Sequence, residues 1–191
     1  MITCVIDVDR TIAENSARAM LLEKSCKACG GFNTAESYCI NCGSDLVAFT
    51  DESFEAFLDP ELMACDLPIA SAQRAIGRFR DLGYNLVFLT GRKEVEHRDV
   101  TESWLIKYFD FNGKDKLCMR KVTDAGMKAS DYKEKTFLGF RDNSTTYMFF
   151  DDDPYIWTMY SKYGLVFRCP DAWEHMSPKG NNRLAEPLRN R

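Results

Sequence analysis

Two short apolar runs end abruptly in acidic clusters, and this feature constrains the fold of the chain more than any other. The first run is Ile2 to Ile6, with Thr3 its one polar residue, and it leads into Asp7-Val8-Asp9-Arg10-Thr11. The second is Tyr147-Met148-Phe149-Phe150, followed by Asp151-Asp152-Asp153-Pro154. Short apolar runs bounded by polar residues read as strands buried on both faces, as in a parallel sheet. Ligands of such sheets sit beyond the carboxyl ends of the strands, where both clusters fall. Carboxylates crowded there call for a divalent cation, because hard cations take oxygen ligands. A lone Asp-x-Asp reads equally well as a helix cap or a turn. Two strand ends of this kind in one chain point to one metal site.

The intervening sequence alternates helical and strand patterns. Apolar residues at Ile69, Ala72, Ile76, Phe79 and Leu82 give a helix from Pro68, closed by Gly83. Strand Tyr84–Leu89, a helix over Glu94–Phe109, strand Lys116–Met119 and a helix near Asp131–Phe140 follow. After the second acidic run come a helix over Tyr155–Tyr163 and strand Leu165–Cys169. This alternation predicts a parallel, doubly wound α/β domain. A helix is expected at Ser16–Lys24, and another short one in the acidic, aromatic stretch 44–67; from Ser177 the tail is polar. The length of 191 residues suits one domain with room for an insert. No apolar run reaches membrane-spanning length, and the N-terminus lacks the basic stretch and apolar core of a signal peptide. The expectation is a cytoplasmic, intracellular protein without a membrane partner. A net charge of −4 gives no support to a bulk grip on nucleic acid, though a local basic patch is compatible with it.

Of eight cysteines, Cys26, Cys29, Cys39 and Cys42 form two Cys-x-x-Cys pairs, each followed by glycine, with nine residues between the inner cysteines. Each pair can turn both sulfurs toward one ion, and the glycine lets the backbone take a left-handed conformation. The reading is a closed, structural Zn²⁺ site with four thiolates. Two disulfides, or a redox Cys-x-x-Cys, are the alternatives. Disulfides fit poorly in a chain without an export signal. Cys4 and Cys118 lie in apolar segments and read as buried thiols.

Asp7-Val8-Asp9-Arg10-Thr11 resembles the first motif, Asp-x-Asp-x-Thr, of the haloacid dehalogenase (HAD) phosphohydrolase superfamily. The resemblance implies a HAD-like Rossmannoid three-layer sandwich and a phosphoric monoester hydrolase that requires Mg²⁺. It casts Asp7 as the nucleophile that forms an aspartyl-phosphate, and Asp9 as general acid and then general base. Thr90 would hydrogen-bond the phosphoryl group. Asp7, Asp9 (through its carbonyl), Asp151 and Asp152 would hold Mg²⁺. A lysine would neutralise phosphate and nucleophile. Lys128, Lys133 and Lys135 are the candidates; the apolar Phe137 four positions on favours Lys133, spacing from Asp131 favours Lys135, and Lys133 is the choice. Arg10 stands where the family most commonly has glycine.

A narrower resemblance is to the phosphatase domains of phage polynucleotide kinase/phosphatases. It rests on Arg18 after the first motif, Thr90-Gly91-Arg92 as the second, Arg98 in the following helix and Arg120 at a strand end. Arginine is suited to bidentate contact with phosphate oxygens. Arg10, Arg18, Gly91, Arg92, Arg98 and Arg120 are therefore expected to bind substrate; for Arg98 and Arg120 a surface salt bridge is an equal alternative. The implied substrate is a terminal 3′-phosphate on nucleic acid, with a mononucleotide second, and the resemblance suggests a phage origin. The core would comprise residues 1–18 and 68–175, with a zinc-ribbon cap insert at 19–67 and a polar tail at 176–191. The rival from another class is a non-catalytic zinc-ribbon binding module on the same scaffold; the completeness of the acidic set favours the enzyme. Oligomeric state is left open.

Overall fold

The computed structural model describes residues 1–19, 24–25, 32–33 and 55–176. In chain order these form β1 (Ile2–Ile6), β2 (Ala13–Glu14), α1 (Ser16–Ala19), β3 (Lys24–Ser25) and β4 (Phe32–Asn33). Then come α2 (Pro60–Ala64), β5 (Leu67–Pro68), α3 (Ala70–Asp81), β6 (Asn85–Lys93) and α4 (Glu94–Phe109). The last part holds β7 (Lys116–Arg120), a 3₁₀ turn (Val122–Asp124), α5 (Ala129–Leu138), β8 (Thr146–Asp151), α6 (Pro154–Tyr160), β9 (Leu165–Arg168) and α7 (Asp171–Met176).

The main sheet has five strands in the order β7-β6-β1-β8-β9, every pairing parallel. Successive strands run outward from β1 to β7, and the chain then crosses to β8 on the other side of β1. The strand order therefore reverses between β1 and β8, which is where ligands bind in open α/β sheets. The period-2 alternation of each strand feeds two cores. Cys4, Ile6 and Phe150 pack with Ala72, Ile76 and Phe79 of α3, Trp104 and Leu105 of α4, and Trp173 of α7. Val5, Phe149 and Tyr147 pack on the other face with Tyr132 and Phe137 of α5 and Ile156, Met159 and Tyr160 of α6. Helices on both faces make the expected α/β three-layer sandwich.

Several boundaries differ from the sequence reading; the strand expected at Tyr84–Leu89 is observed as β6 over Asn85–Lys93, which takes in Thr90, Gly91 and Arg92. Pro68 does not open α3. It pairs through β5 with Ala13 of β2, antiparallel, and the helix starts at Ala70. Proline's fixed φ suits a short edge strand as well as a helix start, and the pairing with the loop after β1 decides between them. The helix expected at Ser16–Lys24 is observed as α1 over Ser16–Ala19, and Lys24 lies in β3, where it pairs with Asn33 of the antiparallel β4. The sequence pattern does not predict α7; its Trp173 is fully buried and donates from Nε1 to the Thr11 carbonyl at 2.7 Å. The four paired cysteines and the polar tail from residue 177 lie outside the described residues, and the Zn²⁺ reading lies there with them.

Candidate active site

Sheet register explains why the two acidic clusters meet. Ile6 is the partner of Phe150 in β8 and of Phe88 in β6. The ladder extends one step, with the Asp7 N–H donating to the Phe150 carbonyl at 2.9 Å. Asp7 and Asp151 therefore leave adjacent strands side by side. One carboxylate oxygen from each of Asp7, Asp151 and Asp152 lies within 4.8 Å of the others. Thr11, fully buried, donates to Asp7 Oδ2 at 3.3 Å and to Asp152 Oδ1 at 3.5 Å.

Lys133 projects from α5 into this cluster. Its Nζ is 2.8 Å from Asp7 Oδ1 and 2.6 Å from Asp151 Oδ2. Lys135 instead pairs with Asp124 at 2.6 Å, and Lys128 is exposed at the start of α5. Burial pushes Asp7 well above the usual carboxylate range; Lys133 opposes that shift, while Asp151 and Asp152 add to it. Asp152 is pushed up to about 6, first by burial and then by Asp151, against Arg10 and Lys133. Burial works against the Lys133 ammonium, but Asp7 and Asp151 outweigh it and hold it protonated. Three carboxylates share one buried ammonium and the exposed Arg10, whose Nε is 3.5 Å from Asp152 Oδ2. The cluster carries surplus negative charge and only oxygen donors. That is the chemistry of a hard divalent cation site.

Asp9 faces a different set of partners. Its Oδ1 accepts from Arg18 Nη2 at 2.6 Å and Arg92 Nη2 at 2.8 Å, and its Oδ2 from Arg92 Nε at 2.9 Å. Behind them Asp66 accepts from Arg18 Nε at 2.8 Å, Arg18 Nη2 at 2.7 Å and Arg92 Nη2 at 3.0 Å. Burial would raise the Asp9 pKa, but Arg92 and then Arg18 outweigh it and hold the carboxyl well below its usual range. Arg18 also donates to the Phe57 carbonyl at 2.7 Å, with its guanidinium over the Phe57 ring. Arg92 reaches Thr101 Oγ1 at 3.2 Å.

The cleft above these groups has a volume of about 550 Å³ and is lined by Asp7, Asp9, Arg10, Thr90, Gly91, Lys133 and Asp152, among others. It thus brings together most of the residues expected from sequence. Arg18 and Arg92 are buried behind Asp9 and tied to carboxylates. Arg98 lies along α4 between Glu94 at 2.8 Å and Glu102 at 3.6 Å. Arg120 donates to the carbonyls of Met127 at 2.7 Å and Asp124 at 3.3 Å. The structure does not bring Arg98 or Arg120 to the cleft. Arg10 has φ 59°, in the left-handed region, which gives a physical reason for glycine at this position elsewhere. Asp66, which anchors both buried arginines, is not among the residues the sequence singles out; it sits in an acidic stretch where nothing local separates it from its neighbours. Asn15, whose Nδ2 donates to Asp9 Oδ1 at 3.3 Å, is equally inconspicuous in the sequence.

Comparison with known proteins fits this geometry. The family described as HAD superfamily, subfamily IIIB (acid phosphatase), matches residues 36–147, more than half of the chain. The chain belongs to this family. It is accordingly a phosphoric monoester hydrolase. The matched span takes in Thr90 and Lys133; both acidic clusters flank it. No curated protein matches. Among solved structures, the chain is similar in fold to one chain of the "Structure of Pnkp1/Rnl/Hen1 complex". That similarity has a TM-score of 0.56 and 18% identity, over 87% of this chain and 44% of that one. A chain of the "Structure of the Pnkp1/Rnl/Hen1 RNA repair complex" gives TM-score 0.57 and 18% identity, over 87% and 41%. The phosphatase spans less than half the length of either. Among the described residues, no helix is long and apolar enough to cross a membrane.

Proposed function

We propose that the protein is a Mg²⁺-dependent phosphomonoesterase that removes a terminal 3′-phosphate from nucleic acid through an aspartyl-phosphate on Asp7. The observation that carries this reading is the meeting of Asp7, Asp151 and Asp152 around Lys133 at the floor of an open cleft. The oxygen-only donor set fits Mg²⁺, which Asp7, Asp151, Asp152 and the Asp9 carbonyl would hold. When bound, the cation supplies positive charge against the phosphoryl oxygens.

Asp7 attacks phosphorus; its Oδ–P bond forms as the bond to the leaving alcohol oxygen breaks. Lys133 offsets charge on the nucleophile and the phosphoryl group. Thr90, in the last part of β6 and lining the same cleft, donates to a phosphoryl oxygen. Asp9 gives a proton to the leaving oxygen, then takes one from the water that cleaves the acyl phosphate, which releases inorganic phosphate and restores Asp7. The two arginines hold Asp9 ionised in the resting site, which suits the second of these roles. The first requires substrate oxygens to draw a guanidinium away. Arg10 contacts substrate at the mouth of the cleft. Cys26, Cys29, Cys39 and Cys42 would hold Zn²⁺; elemental analysis should find one zinc per chain. Fold similarity to a chain of an RNA repair complex supports the nucleic-acid substrate over a free mononucleotide.

Phosphate release with Mg²⁺ from 3′- and 5′-phosphorylated oligonucleotides and from 3′- and 5′-mononucleotides tests the reading. The expected order puts the 3′-phosphorylated oligonucleotide first, and Asp7→Asn abolishes release. Preference for a mononucleotide moves the function to nucleotide metabolism. Full activity in Asp7→Asn overturns the mechanism.

A further inference from the structure

Beyond the catalytic cleft, the end of β6 and the length of edge strand β7 carry two adjoining depressions that together form a groove. Thr90 and Gly91 of β6 line the cleft, and Lys93, at the end of the same strand, lines a depression with Arg120, Lys121 and Val122. Lys121 also lines the next cavity, of about 520 Å³, whose far wall includes Lys116. Lys128 stands at the near edge, beside Ala129 of the cleft.

The charges of this groove do not cancel. Two of its carboxylates are taken, Glu94 by Arg98 at 2.8 Å and Asp124 by Lys135 at 2.6 Å, while Glu96 makes only a loose, exposed contact of 3.7 Å with Lys93 that a phosphate can displace. Lys116, Lys121 and Lys128 are exposed and have no carboxylate partner among the described residues. Arg120 secures the loop that presents Lys121 and Lys128, through its bonds to the Asp124 and Met127 carbonyls. One large apolar side chain, Val122, lines the depression beside these cations at 71% exposure, and Val95, next to Glu94 at the start of α4, is 76% exposed. A strip of cations beside open apolar side chains suits a chain of phosphates carrying unpaired bases. An acidic homopolymer such as polyglutamate offers nothing apolar for the valines, and a duplex hides its base faces.

We propose that this groove is the path of a single-stranded nucleic acid whose phosphorylated end lies in the Asp7 cleft, with Lys93, Lys116, Lys121 and Lys128 on backbone phosphates. It rests on the substrate reading above and adds the direction of the strand, toward β7 and away from β9.

The test is the triple variant Lys93→Ala/Lys121→Ala/Lys128→Ala, all exposed positions outside the catalytic cluster. Fluorescence anisotropy with a short, unphosphorylated, labelled oligonucleotide measures binding without turnover. The slope of log affinity against log salt should flatten by about 2, at roughly 0.7 for each single-strand phosphate that no longer meets a lysine. KM for the 3′-phosphorylated oligonucleotide should rise about tenfold, while turnover of glycerol phosphate stays at the wild-type rate. Unchanged binding and salt slope overturn the groove, as does competition by polyglutamate or duplex equal to that of the single strand. Lysine-dependent binding without dephosphorylation of the oligonucleotide keeps the groove and removes the substrate reading instead.

Discussion

Three residues carry environments that can be tested singly. Asp66 is buried, and its two oxygens fix both Arg18 and Arg92. Asp66→Asn keeps the shape but removes the charge that balances them. Breaking a buried pair from one side costs about 3 kcal/mol, so the urea midpoint should drop accordingly. Activity should fall with it, because Asp9 loses its fixed direction. His97 Nδ1 accepts the Lys93 N–H at 3.1 Å, which requires an unprotonated ring nitrogen. Burial accordingly lowers its pKa, against Glu96. The folded pKa lies below the unfolded value of about 6.5, so this stabilisation is complete above that pH and is lost as pH falls toward the folded value. His97→Asn retains an acceptor that does not titrate; its Tm should decline less than the wild type's between neutral and mildly acidic pH. Arg10 sits at φ 59°, a conformation costing about 1 kcal/mol for a non-glycine residue. Arg10→Gly should leave stability equal or slightly higher in denaturant titration, while KM for phosphorylated substrate rises. Equal KM would remove Arg10 from the substrate site.

At the scale of elements, the strands are legible in the sequence because they are continuous apolar runs, and the ends of β1 and β8 are legible because charged residues begin there, buried though Asp7 and Asp151 are; β6 runs on past its apolar run to Lys93. Sequence order alone does not say that β1 and β8 are neighbours, and the site depends on that. Nor does local pattern separate Pro68 as a strand residue from Pro68 as a helix start, since β5 exists only through its pairing with β2. The buried arginines are a related case. Near a phosphate site their chemistry reads as substrate contact, and local pattern does not show that Asp9 and Asp66 hold them in the resting fold. Gly164 looks from sequence like a simple stop after α6. In the fold, a Cβ there would fall on the Tyr147 carbonyl oxygen and press on the Phe149 ring. Relief has to come from backbone at the start of β9, so Gly164→Ala should cost about 2 kcal/mol, seen as a lower urea midpoint. Gly77→Ala, with open space at its Cβ, is the control and should be neutral or stabilising.

At the scale of the whole molecule, the fold places an unfavourable electrostatic arrangement at the reversal of strand order. Asp7 and Asp151 converge there on one buried ammonium, with Asp152 beside them. The sheet register that aligns β1 with β8 therefore works against the repulsion it creates, and a dication would relieve it. Mg²⁺ binding to the folded chain alone should raise stability by about 2.7 kcal/mol at a hundredfold excess over Kd, visible as a Tm increase reversed by EDTA. Asp152→Asn separates this account from a general salt effect. The variant removes one like charge, so its Tm without Mg²⁺ should exceed that of the wild type. It also removes one ligand, so its gain on adding Mg²⁺ should shrink. The same increment in both proteins would mean that the cation acts elsewhere on the chain.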